Sequence, residues 1–327
     1  RCASADCWIT AASSRDNALD QGVVDSAASI SPDAAVRLSA DKAQSYTVLS
    51  SPLPRIFGVF LNQNQSPILA DKVVRQALDM SIDRPALIAS ILKGYGDPIQ
   101  GPTPFITSST TVRTSSTSPS LINNAQSLLE KNGWKKGADG VYSKKTAKTA
   151  STTIAFDIYT ADSSDLKQAA EHVKNTWNAL GARVSVRVYE SSDLYQNIIR
   201  TRKYDALLFG EVIGKDRDLY AFWHSSQLKS PGLNVALYAN SKTDKLLEDI
   251  RTTSDETIRA SKFAQFDQLI RADIPAIFLY MPDFIYAVPK KLKHIELSSL
   301  NTSSDRWSSV ATWYEETERV WNIFIKK

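Results

Sequence analysis

The sequence predicts an α/β fold, and three observations carry that prediction. "IAFDIYT", "DLKQAAEHVKNTWNALG" and "ARVSVRVYE" follow one another as strand, helix and strand. That spacing suits a right-handed crossover between parallel strands. "YTVLSSPLPRIFGVFLNQN" alternates and is rich in β-branched and aromatic residues, so strands are expected on both sides of Pro52 and Pro54. "KVVRQALDMSIDRPALIASILKGYG" reads as two helices with a sharp joint at "SIDRP".

In order along the chain, Asp16 to Leu19 end a helix that stops at Gly22, and "VVDSAA" is a short strand. Ser31 is placed to cap a helix opened by Pro32. Val74, Ala77, Leu78 and Ile82 share one helical face. Asp83 stands where the next helix starts, and its carboxylate can accept a free N–H of the first turn. Pro85 is tolerated there because its missing N–H has no helical partner. Arg84 either tethers the joint or faces solvent. Gly94 stops the second helix, and "GYGDPIQGPTP" reads as loop.

Downstream, "TSSTTVRTSSTSPS" is a low-complexity polar segment, and "INNAQSLLEKNGW" is a helix ended by Gly133. "GADGVYSKKTAKTASTTIAFDIYT" reads as a hairpin turning at Asp139-Gly140. "DLYQNIIRTRKYDALLFGEVIG" supplies a helix and a buried strand. Two further helices and a final strand pair follow from Lys242, and "DRWSSVATWYEETERVW" closes the chain.

The 327 residues, 43% of them hydrophobic, suffice for one large domain or two ordinary ones. With 39 basic and 35 acidic residues the net charge is only +4, without the dense basic stripe that a phosphate backbone requires, so nucleic acid is not an expected partner. No apolar run is long enough to cross a bilayer. Cys2 and Cys7 fit either a small disulfide or two unpaired thiols in a frayed end, and form a poor zinc site. The chain begins with Arg1, which suggests a removed leader or a fragment.

Motifs of catalysis are lacking: no G-x-S-x-G, H-E-x-x-H or phosphate-cradling loop occurs. His172, His224 and His294 are scattered, and structural roles account for them. No metal ligand set, no catalytic residue and no cofactor is expected. "GKDRD" places Asp216 and Asp218 on a loop after a buried strand, where α/β sheets take ligands. A carboxylate there could hold an ammonium or a metal, or simply solubilise the loop or cap a helix. Tyr220, Phe222, Trp223, Tyr238, Tyr280, Phe284 and Tyr286 crowd strand ends and loops, as aromatics lining a pocket for a peptide-like ligand would, or as core residues would.

The order of motifs resembles the family 5 extracellular solute-binding proteins, the peptide- and nickel-binding components of ABC importers. The resemblance rests on Asn62, Val74-Arg75-Gln76-Ala77-Leu78, Ile82-Asp83-Arg84, Gly94, Gly96, Pro98, Gly101, Pro102 and Pro104. Gly22, Val24 and Asp25, the "NNAQSLLEKNGW" helix, "YDALLFG" and the closing segment extend it over roughly residues 15 to 327. It implies a periplasmic-binding-protein-like fold of the class II or cluster C type, with two α/β lobes that close on a ligand by a hinge. One nearly complete lobe and parts of the second are expected: 1–54 partial lobe I with its N-terminal portion missing, 55–285 lobe II, and 286–327 a C-terminal return to lobe I. The chain is thus expected to be a C-terminal fragment.

The same resemblance implies a monomeric, non-enzymatic receptor. It would deliver peptides to permease subunits in the membrane, outside the cytoplasm, lipid-anchored in its full-length form. Family members pair an Asp after the "YDALLFG"-type strand with the amino terminus of the peptide; here Glu211, Asp216 and Asp218 compete, with Asp216 favoured. Tyr220 and Trp223 line the same region. Tyr280 lies near the hinge-side aromatics, and Asn62 and Asn64 near the other hinge strand. A nickel or metal-chelate receptor is the alternative on the same scaffold, and a hydrolase the third reading.

Overall fold

The computed structural model describes residues 12–41, 45–105, 118–145, 151–214, 216–297 and 300–315. Cys2, Cys7 and most of the low-complexity segment lie outside the described residues. In chain order the elements are α1 (Ala12–Asp20), β1 (Ala27–Ala28), α2 (Pro32–Asp41), β2 (Tyr46–Pro52), β3 (Arg55–Leu61), α3 (Pro67–Ala70), α4 (Lys72–Ser81), α5 (Arg84–Ile91) and β4 (Gly96–Pro98). Then come α6 (Ser118–Lys131), β5 (Lys135–Lys136), β6 (Tyr142–Lys145), β7 (Ser151–Thr153), β8 (Ala155–Ala161), α7 (Ser164–Leu180) and β9 (Arg183–Tyr189). They are followed by α8 (Ser191–Asp193), β10 (Ala206–Val212), α9 (Tyr220–Trp223), α10 (Ser241–Thr252), α11 (Glu256–Asp273), β11 (Ala276–Pro289), β12 (Leu292–Lys293) and β13 (Tyr314–Glu315). A π-helical turn, Leu194–Ile199, continues α8.

Two compact units divide the chain. The first comprises Arg1–Leu53, Leu92–Gly96 and Pro282–Lys327; the second comprises Pro54–Ile91 and Asp97–Met281. The first contains a small antiparallel sheet in which β1 and β2 flank the second half of β11, with Ala27 opposite Ala287 and Leu49 opposite Tyr286. Its α2 begins as the sequence predicts: Ser31 Oγ accepts the N–H of Ala34 at 3.1 Å. Ala34, Ala35 and Leu38 of α2 pack with Ile285 and Ala287.

The second unit is a five-stranded mixed sheet in the order β11-β3-β10-β8-β9. The crossover anticipated from sequence is present: β8 and β9 run parallel, with Ala155 opposite Arg183 and Ala161 opposite Tyr189. Helix α7 connects them and lays Trp177 against Phe156, ring centroids 5.6 Å apart. Trp177 is fully buried, and its indole N–H donates to the Leu78 carbonyl at 3.1 Å, so the burial leaves no unpaired donor. Gly181 ends α7 at φ +111°, where a Cβ would also strike the ring of Tyr142. On the opposite face of the sheet Ile56, Phe60, Leu207 and Phe278 meet Trp223, Phe266 and Ile270 in the main core.

The joint read in "SIDRP" is a scaffold device. Asp83 Oδ1 accepts the N–H of Ala86 at 3.0 Å and caps α5. Arg84 is buried rather than solvated: its Nε donates to the carbonyls of Ile99 (3.0 Å) and Phe278 (2.7 Å), and its terminal nitrogen pairs with Asp79. Arg75 is buried too and donates to the carbonyls of Leu69, Ala70, Asp273 and Ile274.

Three expectations are corrected. The segment read as loop contains strand β4, which pairs with β11. The final strand pair is a single strand of 14 residues, β11, with a register shift between Phe278 and Tyr280. The strand runs unbroken through its Pro282. The hairpin at Asp139-Gly140 gains a third strand, β7.

Candidate functional site

Parallel strands leave their carboxyl ends on one edge of a sheet, and crossovers that depart on opposite faces open that edge to ligands. The second unit meets this condition. Helix α7 leaves β8 on the face of Phe156 and Trp177, whereas the segment after β9 sends Leu194, Ile198 and Ile199 into the core on the other face. Antiparallel pairing brings the beginning of β3 to the same edge: Ile56 stands opposite Glu211, and Phe57 opposite both Gly210 and Tyr280.

Phe57 and Tyr280 stack, with ring centroids 5.2 Å apart and planes 19° apart. The Phe57 ring occupies the space over Gly210, where a Cβ would lie 2.7 Å from it. Only glycine admits that ring so close to the strand. Burial, and then the nearby Asp165 carboxylate, push the Tyr280 hydroxyl up from its ordinary range. Tyr159 and Tyr189 stack further along the edge, 5.9 Å apart.

The three competing acids have different environments. Glu211 is buried, and neither carboxyl oxygen has a hydrogen-bond partner. Loss of hydration raises its pKa to about 8; the indole N–H of Trp223 is near enough to oppose the rise but makes no hydrogen bond of normal geometry. Burial shields both of its oxygens from solvent, so a ligand's ammonium does not reach it.

Asp218 accepts the N–H of Tyr220 (3.0 Å), the first residue of α9, and is gripped by Arg251, whose Nε lies 3.1 and 3.0 Å from its two oxygens. Partial burial pushes its carboxyl up, but these bonds outweigh burial and hold it below the usual range. Asp216 is exposed, with a long 3.4 Å contact to the N–H of Asp218. Of the three, Asp216 offers the accessible anion.

Trp223 is a core residue, edge-on to Tyr238 and Phe266 and tilted against Phe60 and Phe278. Tyr220 is sandwiched between His224, ring centroids 4.0 Å apart, and the Arg251 guanidinium, 3.8 Å away. His224 is itself structural: its Nδ1 lies 2.8 Å from Ser226 Oγ and accepts the N–H of Ser226.

Asn62 and Asn64 fall at the far end of β3, because Leu61 stands opposite Ala206, the first residue of β10. With β3 extended, they are roughly 20 Å from Glu211. Asn62 binds its own scaffold, donating to the Arg202 carbonyl (3.0 Å) and accepting the N–H groups of Asn64 and Gln65. This separates them from the carboxyl edge and gives Asn62 a turn-forming role in place of the ligand contact expected of it.

Phe57, Gly210 and Asp165 were not singled out from sequence. A glycine inside the apolar run "YDALLFG" was the available signal. Among the described residues no group of three or more histidine, cysteine or acidic side chains is gathered as a metal site.

The family profile of the bacterial extracellular solute-binding proteins, family 5 middle region, matches residues 8–232. The chain belongs to this family. The oligopeptide-binding protein AppA of Bacillus subtilis is 28% identical over 242 residues, which cover 72% of this chain and 43% of AppA. The probable D,D-dipeptide-binding periplasmic protein DdpA of Escherichia coli is 24% identical over 289 residues, 87% of this chain and 52% of DdpA.

Solved family structures share the fold. B. subtilis AppA in complex with a nonapeptide superposes with a TM-score of 0.72 at 23% identity, covering 94% of this chain and 59% of that one. NikZ from Campylobacter jejuni in complex with Ni(L-His) gives 0.71 at 22%, covering 91% and 59%. The chain spans about half the length of the curated relatives it matches.

Proposed function

We propose that this family 5 chain is part of a substrate-binding receptor of an ABC importer, and that its substrate is a peptide. The reading rests on the carboxyl edge of the second unit, where the Phe57 and Tyr280 rings stack and the end of β10 leads toward a loop with one exposed carboxylate, Asp216. Aromatic faces suit peptide backbone and side chains, and Asp216 suits the peptide's terminal ammonium. Phe57, half-buried, offers its ring at the edge, and Tyr280 backs it from the interior. Asp218 and Tyr220 hold the loop that carries Asp216, and Trp223 anchors α9 in the core.

The names of the similar proteins support the class of substrate: AppA is an oligopeptide-binding protein, and DdpA a probable D,D-dipeptide-binding one. The receptor acts outside the cytoplasm as a lipid-anchored monomer and hands its ligand to permease subunits. The test is to purify the full-length protein without denaturation, release its ligand and identify it by mass spectrometry. Peptides recovered from native protein, and bound about tenfold more weakly by an Asp216→Asn variant, are expected; a preparation that never carries or binds peptide overturns the reading.

A nickel chelate is the second reading, favoured by the Ni(L-His) complexes of NikZ and of NikA from Staphylococcus aureus. Calorimetry with Ni(II)–histidine and with peptides separates the two.

A further inference from the structure

The net charge of this chain is concentrated in one place. Residues 130–153 carry six lysines, Lys131, Lys135, Lys136, Lys144, Lys145 and Lys148, against Glu130 and Asp139, a net of +4 that equals that of the whole chain. The fold gathers most of them on the three-stranded sheet β5-β6-β7. Register puts Lys135 beside Ser143 and Lys145 beside Ser151 on one face; Lys136 stands beside Tyr142 on the other, the face that Lys144 shares.

Neither acid neutralises them. Glu130 accepts the Tyr142 hydroxyl at 2.7 Å, and Asp139 pairs with Arg183 at 2.7 Å. Lys131, Lys135, Lys136 and Lys145 are exposed. The ribbon therefore presents uncompensated ammonium groups on both faces.

The residue types say what such a surface fits. The four cations of the ribbon, Lys135, Lys136, Lys144 and Lys145, are lysines, compact point charges without the planar fork with which arginine grips a single phosphate. The ribbon's aromatics, Trp134 and Tyr142, are buried beneath Lys144 and Lys136, so no exposed ring is available to stack on a base. Among its described residues the ribbon exposes no large apolar side chain. That combination matches a diffuse, densely anionic plane rather than a discrete phosphorylated ligand or a nucleic acid.

We propose that the lysine ribbon β5-β6-β7 is a membrane-contacting surface that adsorbs electrostatically to anionic phospholipid headgroups. Adsorption of this kind is reversible, needs no insertion and is lost at high salt. It holds a receptor close to a membrane-embedded partner without occupying the carboxyl edge, and it stands whether the ligand is a peptide or a nickel chelate.

The test is co-sedimentation of the 327-residue chain with phosphatidylcholine vesicles, with and without phosphatidylglycerol. Binding at least tenfold stronger to the phosphatidylglycerol vesicles is expected, vanishing in about 0.5 M NaCl. Replacing Lys135, Lys136, Lys144 and Lys145 together with Gln should cost at least tenfold in partitioning. Replacing the exposed Lys203, Lys229, Lys242 and Lys245 with Gln should leave it within about twofold. Should the first variant fail to fold by thermal melting, Lys135→Gln with Lys145→Gln alters only the face away from buried Tyr142, and about a threefold loss is expected. Equal binding to both vesicles, equal loss in both quadruple variants, or capture of polyphosphate or single-stranded DNA without capture of vesicles would each overturn the proposal.

Discussion

Glu211 and Trp223 lie together in the main core of the second unit, a carboxyl and an indole N–H that have no other polar neighbour satisfying them. The folded state holds the proton of Glu211 up to about pH 8, whereas the unfolded chain releases it near the ordinary value of 4.5. Stability from this group is therefore full below the ordinary carboxylate range and is lost as pH rises through about 8. Glu211→Gln removes the ionisation while keeping the shape. Its melting temperature should match the parent's near pH 5 and exceed it by several degrees near pH 8–9. Parallel melting curves across that range would show that Glu211 does not titrate as argued.

Gly210 is expected to tolerate no side chain. In Gly210→Ala the new methyl meets the Phe57 ring, which is already stacked on Tyr280. A loss of about 1–3 kcal/mol, typical of overpacking, should appear in urea unfolding. Weaker binding of the co-purified ligand should accompany it, read by calorimetry.

Asp216 and Asp218 should respond oppositely. Asp216→Asn is expected to weaken peptide binding by about tenfold with an unchanged melting temperature, since its carboxylate is exposed. Asp218→Asn keeps an oxygen for the Tyr220 N–H but loses the partly exposed ion pair to Arg251, and should cost about 0.5 kcal/mol of stability after solvent screening. An equal effect of both on ligand affinity would contradict the assignment.

Arg75 bonds four carbonyls, one of them that of Ile274, which has a left-handed φ of 52°. Arg75→Met keeps the stem and strands those acceptors. A loss of about 3 kcal/mol is expected by chemical denaturation, without a change in ligand preference in the fraction that folds.

Asp83→Ala should lose about 1 kcal/mol, the usual value of an N-cap, with ligand affinity unaltered. Calorimetry showing a large affinity loss without destabilisation would move this joint from scaffold to site.

Much of the fold was legible in the residues. The period of "DLKQAAEHVKNTWNALG" between two β-rich runs specified the parallel crossover, and Ser31 and Asp83 announced their caps, because these signals act within a few residues. The candidate site was less legible. Nothing local distinguishes Glu211 from Asp216: one is the penultimate residue of β10 and the other lies five positions later, yet Glu211 is dehydrated in the core and Asp216 is exposed. Asn62 carried the family motif but belongs to the opposite edge, a separation that appears only once β3 is placed in register with β10.

By itself, then, the sequence determined the α/β class, the order of elements, the family and the concentration of lysines between residues 130 and 153, since composition, periodicity and motif order are properties of the chain. Only the tertiary structure decided which acids keep their charge, which aromatic faces are free, and that Arg75 and Arg84 are buried in the scaffold. Those outcomes depend on desolvation and on partners as much as 199 positions away, which no local pattern encodes.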